Sequence, residues 1–86
     1  MIKNDQERQR IGQRIAELRK AVEWTDELGI RRKGMTQGQL ADLAGIRQSN
    51  LSRIECGAYA TTIDILGKIA DALGLKIDFV KKIKHE

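Results

Sequence analysis

An 86-residue chain with 16 Lys and Arg against 12 Asp and Glu, a formal charge of +4, has room for one domain. Its core is marginal unless it is all-helical and well packed, or completed by a second subunit. One Trp, one Tyr and one Phe leave the core to Leu, Ile, Val and Ala, while the absence of Pro and the eight Gly between apolar segments favour helices joined by short turns. A single cysteine, Cys56, excludes an internal disulfide, no charged-then-apolar leader opens the chain, and no apolar run approaches the ~18 residues of a membrane span. A protein of the reducing cytoplasm is therefore expected.

The first helix is expected to start near Asn4, whose side chain suits a cap with Glu7 reaching back from three residues on. Ile11, Ile15, Leu18 and Val22 then form one apolar stripe, and the charged remainder, from Arg8 and Arg10 to Glu23, reads as a solvated face. The segment from Glu23 to Gly34 has two readings. Ala21, Trp24 and Leu28 continue the helical spacing toward Gly29 as an end cap, which is the favoured one; the other is an irregular loop pinned by Trp24. Arg31, Arg32 and Lys33 follow directly before the second helix, either as a solvated linker or as a phosphate clamp.

Thr36 is placed to cap a second helix with Gln39 as its capping-box partner, and the unpaired amides at that helix start are suited to a phosphate, with Gln37 adding a side-chain contact. Leu40, Ala41 and Ala44 mark its apolar face, Gly45 breaks the period for a tight turn, and Ile46 plugs the turn into the core. A third helix starts at Arg47 or Gln48 and ends at Gly57. Leu51 and Ile54 point it inward, leaving Arg47, Gln48, Ser49, Asn50, Ser52 and Arg53 outward, a face holding only hydrogen-bonding and cationic groups. Between Arg31 and Arg53 five bases meet Asp42 alone, so that window holds an excess equal to the net charge of the chain.

A fourth helix is expected from Thr61 or Thr62 to Leu73, with Ile63, Leu66, Ala70 and Leu73 inward, Ile65 and Ile69 flanking, and Gly74 as its stop. From Leu75 the period changes to two, with Leu75, Ile77 and Phe79 alternating with Lys76 and Asp78 and a basic end following. A lone strand has no partner in its own chain, and pairing with the same strand of a second subunit would satisfy its backbone and make a two-fold dimer. A short fifth helix or an extended tail is the alternative.

Residues 37–56 resemble the helix-turn-helix of the lambda repressor and Cro-like, or Xre-type, regulators. MTQGQLADLAGI is similar to the usual opening of that motif and SNLSRIECG to its close, with Ala41, Gly45, Ile46, Leu51 and Ile54 at the small, turn-forming and apolar positions. RIAELR in the first helix and TIDILGKIADALGL in the fourth extend the likeness. The resemblance implies an all-α fold, a compact bundle of four or five helices, here over residues 1–74, to which the period-two pattern adds a short C-terminal strand or tail in 75–86 as the expected dimerisation element. The helix 47–56 would lie in the major groove. Gln48 and Ser49 would lead base readout, with Arg47, Asn50 and Arg53 at the groove or its walls. Gln37 would contact phosphate, joined by Thr36, Arg31, Arg32, Lys33 and Ser52, and Arg19 with Glu55 would form a structural ion pair. Two departures stand out: Arg47 replaces the usual Ser or Thr cap of the recognition helix, and the segment 23–34 is longer than the usual link.

The function implied is sequence-specific binding of double-stranded DNA by a transcriptional regulator, a repressor acting as a homodimer on a palindromic operator. The alternatives are an antitoxin that represses its own operon, since KIDFVKK resembles the tails of such proteins and would bring a toxin partner, or an interaction module without DNA readout. No GxSxG, no phosphate-binding Gly loop and no cluster of His and carboxylates is present, His85 being the single His. No catalytic activity, cofactor or metal site is expected.

Overall fold

The apolar stripe of the first segment does form one helix face. In the computed structural model, which describes residues 4–82, α1 spans Asn4–Ala21, and its Ile15 is buried while Ile11, Leu18 and Val22 lie against the core. Glu7 pairs with Arg10 one turn on, and this hydrogen bond first of all holds its carboxyl below the ordinary range. Gly12 had no role assigned by pattern, yet it is buried. A Cβ there would collide with the carbonyl oxygens of Ile54 and Glu55, the second at 2.6 Å. Glycine inside a helix costs roughly 1 kcal/mol relative to alanine; here it lets α1 rest directly on the end of the third helix.

α1 stops at Ala21 and does not run on to Gly29. Instead β1 (Glu23–Thr25) and β2 (Arg31–Lys33) pair antiparallel, with Trp24 opposite Arg32. The reversal is built by Asp26, whose carboxylate accepts from the amides of Leu28 at 3.0 Å and Ile30 at 2.9 Å, and by Gly29 in the left-handed region at φ 77°. Three-residue strands are too short to show a period of two, so no strand signal stood against the helical spacing of Ala21, Trp24 and Leu28. Trp24 does pin the segment, as the second reading held: its indole donates to the Gly34 carbonyl at 2.8 Å.

α2 (Gln37–Ala44), α3 (Gln48–Glu55) and α4 (Ile63–Ala72) complete the body. Leu40, Leu51 and Ile69 form its solvent-free centre, ringed by Met35, Ala41, Ala44, Ile54 and Leu73. α3 packs on α1, and α2 packs on both α3 and α4. Thr62 caps α4 through the Ile65 amide.

One expectation for α4 is corrected. Ile63 is 69% exposed, and Ile69, assigned a flanking place, is at the centre. Two stripes share Leu66 and Leu73, and the one that adds Ile65, Ile69 and Ala72, with more apolar side chain than the one that adds Ile63 and Ala70, is the one packed on the core.

After Gly74, among the described residues, there is no fifth helix, and residues 75–82 adopt neither helix nor strand. Leu75, Ile77, Phe79 and Val80 are all exposed. The remainder of the proposed strand and tail, with Ile83, Lys84 and His85, lies outside the described residues. Among the described residues no helix is long and apolar enough to cross a membrane.

Candidate nucleic-acid interface

The α2–turn–α3 unit is assembled by local chemistry. Thr36 Oγ1 accepts from the Gln39 amide at 3.0 Å while Gln39 Oε1 accepts from the Thr36 amide at 2.8 Å, a complete capping box. Among the described residues, the amides of Gln37 and Gly38 in the same first turn are left for another acceptor. Gly45 ends α2 in the left-handed conformation at φ 71°, where a side chain would be strained, and Ile46 then packs on the core. α3 begins without a side-chain cap: Arg47 is extended and makes no capping hydrogen bond. Among the described residues, the amides of this first turn are therefore left without an acceptor, next to the Arg47 cation.

Leu51 and Ile54 are buried, so the opposite face of α3 is displayed. Arg47, Gln48, Ser49, Ser52 and Arg53 are exposed and Asn50 is half-buried. A Cβ at Gly38 would stand 3.4 Å from Gln48 Oε1, so the first turns of α2 and α3 lie side by side with Gln48 between them.

The orientation of α3 is fixed from behind. Arg19 donates through Nε and Nη2 to the two carboxylate oxygens of Glu55 at 2.7 and 2.9 Å, and through Nη1 to the Met35 carbonyl at 2.9 Å. Gln37 Nε2 adds a bond to Glu55 Oε1 at 3.0 Å. Both charged residues are only 9% exposed. This network joins α1, the lead into α2, its first residue and the last turn of α3, with the two Arg19–Glu55 bonds forming a two-pronged contact. The structure thus brings the ion pair together and directs the Gln37 amide group inward to Glu55.

The hairpin cations are arranged differently. Arg31 meets Glu23 at 3.5 Å, and Arg32 meets Asp26 at 2.8 Å. The Asp26 carboxyl is held below the ordinary carboxylate range by the Ile30 amide first and the Arg32 guanidinium next. Lys33 has no ion pair among the described residues and lies three residues ahead of the Thr36 cap. The basic window seen in the sequence began just after Glu23, Asp26 and Glu27 and ended just before Glu55. Over residues 23–56 five acids balance five bases, so the surplus of the chain lies toward its two ends. An open cleft lies between the hairpin and Gln39, Asp42 and Leu43 of α2 with Ala72 of α4.

Tyr59 received no role from the sequence. Its ring lies under the Arg53 guanidinium, 5.4 Å from carbon to ring centroid. An arginine and a tyrosine six residues apart across a helix end carry no periodic signal, so only the fold brings these two together. Among the described residues no group of three or more His, Cys, Asp or Glu could hold a metal ion.

The helix-turn-helix family model HTH_3 matches residues 28–80. That span takes in the second half of the hairpin, α2, the turn, α3, α4 and the start of the tail; α1 and β1 fall outside it. A comparison with curated proteins gives no match. With the capping box, the left-handed turn glycine and the polar face of α3 in place, the chain belongs to the lambda repressor-like, Xre-type helix-turn-helix family, whose members are double-stranded-DNA-binding regulatory domains.

Proposed function

We propose that this protein is a sequence-specific transcriptional repressor that lays α3 in the major groove of a palindromic operator and acts as a cytoplasmic homodimer. The observation that carries this reading is the outward face of α3, entirely polar or cationic and held rigidly by the buried Arg19–Glu55 network. Gln48 and Ser49, on the first exposed turn, are the leading base readers, with Arg47 and Asn50 beside them; Gln bonds an adenine edge in two places and Arg a guanine edge. The uncapped first turn gives Arg47 free movement toward either a base or a phosphate. The α2 start, through the free main-chain amides of Gln37 and Gly38 that follow the Thr36 cap, meets backbone phosphates together with Ser52 and Lys33. Arg31 sits in an exposed pair of the kind worth about 0–1 kcal/mol, so a phosphate competes readily for it, and Arg32, half exposed on a sheltered Asp26, lies beside it.

Dimerisation is assigned to residues 75–86. Leu75, Ile77 and Phe79 alternate with polar residues, and Phe79 is 99% exposed, a poor arrangement for an isolated chain. Pairing with the same segment of a second copy covers these side chains and sets two α3 helices about one DNA turn apart. A second reading, an antitoxin that represses its own operon, is favoured by Leu28, Ile30 and Leu43, which are exposed on the hairpin and α2. They offer a toxin partner an apolar contact apart from the base-reading face of α3.

The test is selection of bound sequences from random DNA, followed by titration of the best site and of a random duplex. A two-fold symmetric site is expected, with log affinity falling by ~0.9 per neutralised phosphate against log salt. Gln48→Ala is expected to cost about 1–3 kcal/mol on the selected site alone, and Lys33→Ala to weaken both duplexes alike. A flat salt response removes the DNA-binding role, and equal effects of the two substitutions remove the division between readout and clamp.

A further inference from the structure

The end of α3 is more organised than the end of a helix needs to be. The Ala58 amide donates to the Arg53 carbonyl at 3.0 Å and the Gly57 amide to the Ile54 carbonyl at 3.1 Å, the two bonds of a Schellman motif. Gly57 supplies the left-handed residue at φ 74°, and it lies so close to α1 that a Cβ would stand 2.7 Å from Gln9 Cγ and 3.0 Å from Gln9 Cα. Arg8 Nε donates to the Gly57 carbonyl at 3.4 Å. The chain is thereby reversed against α1, and Tyr59 is carried back across the last turn of α3 until its ring faces the Arg53 guanidinium. The ring itself is anchored, because Tyr59 is half-buried and packs on the core, whereas Arg53 is exposed.

We propose that Tyr59 is a positioning residue that holds the Arg53 guanidinium against the DNA backbone, so that Arg53 serves as a phosphate contact at the groove wall and not as a base reader. The proposal rests on the DNA-binding function stated above. Base edges are reached from the N-terminal residues of a recognition helix, whereas Arg53 is near the C-terminal end of α3 and is drawn toward the loop beyond it. An unrestrained arginine loses much rotamer freedom when it grips a phosphate, and a ring that already restrains it removes part of that loss. The planar guanidinium suits this double duty, stacking through its face while its edge N–H groups point outward.

The experiment compares wild type, Tyr59→Leu, Tyr59→Phe, Arg53→Ala and the Arg53→Ala/Tyr59→Leu double variant on the best selected site and on a random-sequence duplex. Leucine keeps apolar packing and removes the ring; phenylalanine keeps the ring. Tyr59→Leu is expected to weaken binding about two- to five-fold on both duplexes, the size of an exposed cation–π contact, while Tyr59→Phe binds as wild type. Arg53→Ala is expected to lower the salt slope by about 0.9, and adding Tyr59→Leu to it should change nothing further.

A Tyr59→Leu effect that persists without Arg53, an equal loss from Tyr59→Phe, or a change in base preference from either position overturns the assignment. Should Tyr59→Leu unfold, Arg53→Lys decides, since it leaves the core untouched and keeps the charge without the flat stacking face. Its binding should fall on both duplexes, and unchanged affinity overturns the proposal. Wild-type protein that binds neither duplex overturns the DNA-binding function itself, whereas wild-type binding that is indifferent to Tyr59 overturns only the positioning role.

Discussion

Breaking the Arg19–Glu55 pair from one side should be far more damaging than replacing both residues. Each is 9% exposed, and three hydrogen bonds from Arg19 plus one from Gln37 satisfy the pair. In Arg19→Met the Glu55 carboxylate keeps only Gln37 Nε2, and in Glu55→Leu the guanidinium keeps only the Met35 carbonyl. An uncompensated buried charge costs about 3–5 kcal/mol. A domain of this size holds about 0.05–0.15 kcal/mol per residue, roughly 4–13 kcal/mol in all, so either single variant loses a large part of its stability. The Arg19→Met/Glu55→Leu double variant removes both charges together and should lie near wild type. Urea unfolding followed by circular dichroism gives each stability, and the four proteins close a double-mutant cycle. A loss under about 1 kcal/mol in the single variants, the size of an exposed pair, would refute the view that this network holds α3 in place.

Two further outcomes follow from the geometry. Gly12→Ala should destabilise the fold by about 1–2 kcal/mol, because the added Cβ meets main-chain carbonyls that cannot swing aside, a crowding cost of about 2–3 kcal/mol at the upper end of the usual range against a helix-propensity gain of about 1 kcal/mol; a raised thermal midpoint would mean that α1 shifts away from α3 freely. The hairpin should weaken in acid: because Asp26 has its carboxyl range lowered by folding, its contribution is complete above the ordinary carboxylate value near ~3.9 and disappears as pH falls through the lower folded value. The Trp24 indole proton signal, followed by NMR against pH, should report this loss, and Asp26→Asn should flatten the response; an identical titration in the variant would place its origin elsewhere.

The parts of this molecule that were legible from its sequence are those written in local patterns. Thr36 with Gln39, Gly45 followed by Ile46, and the Leu51 and Ile54 spacing each specify one turn or one face, and each is found as the pattern implies. Arg19 and Glu55 are 36 residues apart and became visible only through the family resemblance, since no local rule joins them. The hairpin escaped because its decisive groups, the Asp26 carboxylate and the Gly29 backbone, act in a turn whose flanking strands are shorter than any detectable period. Gly12 and Tyr59 escaped for a related reason: a close backbone approach and a stacked ring are properties of two elements meeting. Charge was misjudged by where the counting window fell, for the acids that neutralise Arg31 and Arg32 come from the opposite strand and the turn.

The hairpin leaves and rejoins the body at a single point. Gly34 N bonds Val22 O at 2.6 Å, and Met35 N bonds Arg19 O at 2.9 Å, so the two ends of the excursion are already closed on each other before its tip is reached. Its length is therefore uncoupled from the placement of α1 and α2. Residues added or removed around the exposed Gly29 alter only a loop whose closure cost rises slowly with size, by about 0.6 kcal/mol per doubling, which makes this tip a natural place to graft a peptide tag or a fluorophore without disturbing the helices that face DNA.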